Sequence, residues 1–135
     1  MVYKKKAEEI RIIREGGKIL SAILREMVAE VKPGVSTLVL ENILLKRIKE
    51  VGGRPAFKDY DMGDGLIFPS GLCASINEEV VHGTATPGRL LKSGDIIDLD
   101  IGMEWPIDAK IRAQVKAPIN KFSGCLLYTS DAADE

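Results

Sequence analysis

The chain has 135 residues, 45% of them hydrophobic, with 19 Lys and Arg against 20 Asp and Glu, one His and two Cys. That suits one domain with a real core, while a net charge of −1 leaves no electrostatic footprint for nucleic acid or an anionic membrane, and two Cys make neither a disulfide framework nor a zinc spacing. No apolar run reaches the roughly 18 residues of a membrane span, and the basic start at 1–6 leads into a helical pattern instead of an apolar signal core, so a cytoplasmic chain is expected.

Residues 7–31 predict one amphipathic helix. Ile12, Ile13, Ile19, Leu20, Ile23, Leu24, Met27, Val28 and Val31 recur at three- and four-residue steps and share a face. Gly16-Gly17 interrupts the pattern at a cost of about 1 kcal/mol per Gly, and suggests a close approach of another backbone. Pro33-Gly34 ends the helix. A second helix is expected over 38–51, capped by Ser36 or Thr37, with Glu41 near its positive end. Its stripe is Leu40, Ile43, Leu44, Ile48 and Val51, and Gly52-Gly53 stops it.

From Arg54 the texture changes. The Asp- and Gly-rich stretch 59–65 reads as an exposed loop. It imitates a calcium loop, but Gly63 comes one position early and Ser70 stands where a bidentate carboxylate is needed. Gly63-x-Gly65 lacks the third Gly of a dinucleotide site. Strand-like pieces follow at 72–76, 80–83 and 95–103, with Asn77-Glu78 as a hairpin turn between the first two. Helices first and strands after predict an α+β fold, two helices packed on a mostly antiparallel sheet.

The 95–103 strand carries the sharpest chemical signal. A period of two puts Ile97, Leu99 and Ile101 on one face and Asp98 and Asp100 on the other. Two carboxyls roughly 6 to 7 Å apart on one face are either hydrated or shared with a divalent cation. His82, the single imidazole, is open to four readings: metal ligand, proton shuttle, hydrogen-bond donor to substrate, or structural histidine. Cys73 sits among apolar neighbours as a small buried hydrophobe; as a nucleophile it would need His82 within reach.

Several segments, in order, carry a resemblance. They are Lys32-Pro33-Gly34-Val35-Ser36-Thr37-Leu38, Pro55-Ala56-Phe57-Lys58, Phe68-Pro69-Ser70, the run from Cys73 through Asn77-Glu78-Glu79-Val80-Val81-His82-Gly83, and Gly94-Asp95-Ile96-Ile97-Asp98-Leu99-Asp100-Ile101-Gly102. Together they resemble the N-terminal half of a type I methionine aminopeptidase, a metallopeptidase with the pita-bread fold. The resemblance implies that Asp100 is the first metal-binding carboxylate of a two-metal site, with Asp98 only supporting the face. It implies that His82 is the active-site histidine, contacting substrate without ligating metal, and that Cys73 and Phe68 line the apolar pocket for the methionine side chain. Two divalent metal ions (Co, Mn, Fe or Zn) would activate the attacking water in the full-length protein. The substrates would be nascent peptides with N-terminal Met, met at the ribosome, with no membrane and no direct nucleic-acid partner.

After Gly102 the sequence departs from the family pattern. Glu104-Trp105-Pro106 opens an excursion through 117–121, and Asp108 is an alternative second metal ligand. Residues 125–135 resemble the translation of a transposon-type sequencing-library adapter, whose bases TGT CTC TTA TAC ACA TCT encode Cys-Leu-Leu-Tyr-Thr-Ser. The expectation is therefore that 1–124 is the N-terminal part of the catalytic domain and that 125–135 is a non-native tail. The natural continuation, with the remaining ligands, would then be missing, and the fragment would be inactive. Two other readings stand beside this one: an Xaa-Pro aminopeptidase of the same fold, and a pita-bread relative without metal that serves as a binding module.

Overall fold

The computed structural model describes residues 4–116 and a strand at 123–131. Two helices, α1 (Ala7–Ala29) and α2 (Thr37–Glu50), lead the chain. Ile12, Leu20, Ile23, Leu24 and Met27 of α1 are buried, as the three- and four-residue spacing requires. Glu9 turns back to accept the Lys6 backbone N–H at 2.7 Å, which satisfies one donor at the helix start. Gly16 admits the Trp105 side chain rather than a backbone, since a Cβ there would lie 3.4 Å from the indole, and Gly17 has nothing within 4 Å.

The start of α2 is capped from outside the helix. Neither Ser36 nor Thr37 places its side chain on the first-turn amides. The Thr37 N–H donates to Arg89 O at 3.0 Å, and its hydroxyl exchanges hydrogen bonds with the Thr86 backbone at 3.0 and 3.2 Å. Glu41 is buried against the sheet as well as lying near the helix start. It is 5% exposed and accepts the Gly71 and Leu72 N–H groups, both at 2.8 Å. A buried carboxyl is tolerable only with such partners.

The main sheet is antiparallel throughout and centres on β5 (Ile96–Glu104). One edge of β5 takes β4 (Leu72–Ile76) and then the short β1 (Arg54–Pro55). Its other edge pairs along the whole strand with β6 (Ser123–Asp131). Seven residues of β6 fall in the segment set aside as adapter-like. Their ladder uses main-chain groups and is indifferent to where those residues come from. A separate hairpin, β2 (Tyr60–Asp61) with β3 (Ile67–Phe68), carries the Asp- and Gly-rich loop at its tip. The excursion after β5 holds a short helix, α3 (Ala109–Gln114); its 117–121 part lies outside the described residues.

Register places every second residue of β4 and β5 on the same face. Leu72, Ala74 and Ile76 oppose Ile101, Leu99 and Ile97, and pack under the helices with Leu40, Leu44 and Ile48. Full burial of such a side chain contributes about 1.5–3 kcal/mol. Cys73 and Ser75 oppose Asp100 and Asp98 on the face away from the helices. The architecture is the expected α+β one, with two helices on an antiparallel sheet.

The 80–83 piece is not a strand. Asn77-Glu78 does turn the chain, but the partner of β4 is β5, and only Thr84 forms an isolated bridge, to Cys73. Asn77, at φ 57°, is held by Asp95 and Ile96: its amide donates to Asp95 at 2.9 Å and its carbonyl oxygen accepts Ile96 N–H at 3.0 Å. That lock, with the Lys92 N–H donating to Asp95 at 2.8 Å, holds the Asp95 carboxyl below its ordinary range. Chain direction after β4 is thus set by polar side chains, which a β-propensity pattern does not register.

Candidate active site

The helix-free face of β4 and β5 forms the floor of a cavity of about 490 Å³, bordered by Ala56, Phe57, Tyr60, Met62, Phe68, Cys73, His82 and Asp100. All four residues singled out from sequence as site residues, Asp100, His82, Cys73 and Phe68, meet there. Cys73 and Asp100 arrive as directly opposed residues on neighbouring strands.

Gly102 occupies the next outward position on β5. A Cβ there would come within 2.9 Å of the Phe57 ring and 3.1 Å of Ala56, so the missing side chain lets the 56–57 segment lie on the sheet as a wall. The Ala56 N–H fastens this wall to Gly102 O at 3.0 Å. The β2–β3 hairpin supplies Tyr60, Met62 and Phe68, of which only Phe68 is buried. Phe68 meets His82 edge to face, with ring centroids 6.1 Å apart and planes at 62°, a favourable aromatic arrangement.

His82 has φ 59°, in the left-handed region that non-glycine residues seldom adopt. The next residue, Gly83, explains how the segment reaches the sheet. Its carbonyl accepts the Ala74 N–H at 2.8 Å, and a Cβ would fall 2.1 Å from Ala74 O. Cys73 is 7% exposed. Burial, followed by the neighbouring charges of Asp100, Glu41 and Asp98, pushes its thiol from 9.0 up to about 11. It is an apolar liner at neutral pH and not a thiolate nucleophile.

Asp98 shares the outward face but does not border the cavity. Asp108 is not placed as a ligand. It caps α3, its Oδ1 accepting Lys110 N–H at 2.8 Å and Ile111 N–H at 3.1 Å. Among the described residues no three His, Cys, Asp or Glu converge as a metal-holding group. Asp100 is one carboxyl against the about three protein ligands of a catalytic zinc centre. Among the described residues no helix is long and apolar enough to cross a membrane.

Ala56, Phe57, Tyr60 and Met62 were not anticipated as cavity walls. Tyr60 and Met62 sit in a stretch whose composition reads as solvated loop, and the hairpin brings them to the cavity rim while both stay exposed.

The model of metallopeptidase family M24 matches residues 11–108. Methionine aminopeptidase 1 of Bacillus subtilis is 43% identical over 103 residues, covering 76% of this chain and 39% of that protein. Among solved structures, a methionine aminopeptidase from Thermotoga maritima superposes with a TM-score of 0.72 at 27% identity, covering 100% of this chain and 47% of that one. A methionine aminopeptidase from Streptococci gives a TM-score of 0.77 at 24% identity over 97% of this chain and 52% of that one. The fold is thus about half of the pita-bread fold. The chain spans about two fifths of the length of the curated relative it matches, and it belongs to metallopeptidase family M24.

Proposed function

We propose that this chain is the part of a metal-dependent aminopeptidase that receives the N-terminal methionine of a nascent polypeptide in the cytoplasm, at the ribosome. The observation that carries the reading is the cavity itself, in which Phe57, Phe68, Met62 and Cys73 border an apolar space with one carboxyl, Asp100, at its edge. A thioether is polarizable and packs well on aromatic edges and sulfur, so such a lining suits a methionine side chain. His82, at the mouth beside Phe68, would hydrogen-bond the substrate near its first peptide bond. Asp100 would be one metal ligand, with cobalt, manganese, iron or zinc all compatible with a carboxylate and imidazole set.

A converging set larger than Asp100 is needed for a pair of metal ions. The 135-residue chain is therefore expected to bind metal weakly and to hydrolyse nothing. On this reading 1–124 belongs to the catalytic domain and 125–135 is foreign to it.

The test is to read the source locus past the Gly124 codon and express the continuous frame. With a divalent metal it should release Met from a Met-Gly peptide in preference to cleaving an Xaa-Pro peptide, and Asp100→Asn should abolish release. A frame lacking a further Asp, a His and two Glu, or an intact frame that releases no Met, would overturn the reading in favour of a non-catalytic binding module.

A further inference from the structure

His82 lies in a segment that apolar packing does not hold. Val80 and Val81, immediately before it, are 84% and 62% exposed, and the segment belongs to no strand. Its backbone nevertheless keeps a left-handed turn at His82 that has to be imposed from outside.

The groups that impose it are polar. One nitrogen of the Arg89 guanidinium, Nη1, donates to Thr84 O at 2.6 Å and to Ala74 O at 3.1 Å. The other, Nη2, donates to Glu79 Oε2. The same Glu79 oxygen accepts the Ile76 N–H at 2.9 Å. These bonds gather residues 74, 76, 79 and 84, which bracket His82 on both sides. Arg89 is itself fixed to the helix layer, because its carbonyl accepts the Thr37 N–H at 3.0 Å. The Arg89 side chain is 23% exposed, so these charge-assisted bonds are partly shielded from water.

We propose that Arg89, through Glu79, is the positioning residue that sets His82 against Phe68 at the mouth of the cavity. The role of His82 toward substrate rests on the aminopeptidase reading; the positioning of its ring does not. A planar guanidinium can address three acceptors in fixed directions, and an ammonium on a flexible stem cannot.

The chain contains one His and one Trp, so each gives a single-residue signal. The His82 imidazole reports the site. The Trp105 indole N–H, donating to Val51 O at 2.9 Å, reports the fold on the helix side of the sheet. The experiment is NMR on the 135-residue chain, comparing Arg89→Met, Arg89→Lys and Glu79→Gln with the parent. Expected are displaced imidazole resonances and at least a twofold loss of His82–Phe68 cross-relaxation in all three, with the Trp105 signal in place. Should Arg89→Met lose the Trp105 signal through unfolding, Arg89→Lys and Glu79→Gln decide. Parent-like imidazole shifts and cross-relaxation in the folded variants overturn the proposal. Absence of methionine release from the continuous frame would sink the aminopeptidase reading and leave this result standing.

Discussion

Removing the Glu41 carboxyl should loosen the sheet from beneath the site. Its two oxygens each accept one backbone N–H, from Gly71 and Leu72, at 2.8 Å, inside the protein. Those residues lead directly into β4, whose next member is Cys73 on the cavity floor. Glu41→Ala strands two buried donors, at about 1–3 kcal/mol each. The lost side-chain volume adds about 1 kcal/mol, for a total of about 3–7 kcal/mol unless water enters the gap. Glu41→Gln keeps one acceptor and sets an amide N–H against the other donor, so the loss of one satisfied donor, about 1–3 kcal/mol, is expected. Urea unfolding followed by the fluorescence of the single Trp would give both values. Amide exchange at Gly71 and Leu72 should accelerate more than exchange at Leu99. If both variants unfold within about 0.5 kcal/mol of the parent, the carboxyl does not anchor β4 and the reasoning fails.

Gly83→Ala would drive a methyl to 2.1 Å from Ala74 O, so the 82–84 segment has to retreat and release the Ala74 N–H. A loss of about 2–4 kcal/mol is expected by urea unfolding, and a neutral result would contradict the close approach. Cys73, with its thiol raised to about 11, should react slowly with iodoacetamide at pH 7.5 in a Cys125→Ser background and faster as pH rises. The same shift has a stability consequence. Unfolded Cys73 loses its proton near 9.0 and folded Cys73 near 11, so above 9.0 the unfolded state binds fewer protons and stability falls. The contribution is whole below about pH 9 and is lost as pH rises through 11; the parent should weaken more steeply than Cys73→Ala across that window.

Local periodicity determined a good deal of this protein. The three- and four-residue spacing in α1 and α2 named the buried stripes, and the alternation in β5 put Asp100 opposite the core face, because both depend only on how a backbone repeats. The resemblance then picked out Asp100, His82, Cys73 and Phe68, and the fold brings all four to one cavity. Other features came only with tertiary structure. Glu41 was read from sequence only as an acid near the positive end of its helix, but its partners are 30 and 31 residues further along the chain. Val80 and Val81 have strand propensity, yet their segment belongs to no strand and is tied to β4 through the side chains of Glu79 and Arg89. Asp108 was as plausible a ligand as any loop Asp until the start of α3 claimed its oxygen. In each case the hydrogen bonds of a polar side chain decide, across 30 and 31 residues for Glu41 and within three for Asp108. One directional hydrogen bond of that kind leaves no period behind it, whereas a hydrophobic face repeats along its element and can be read from the residues alone.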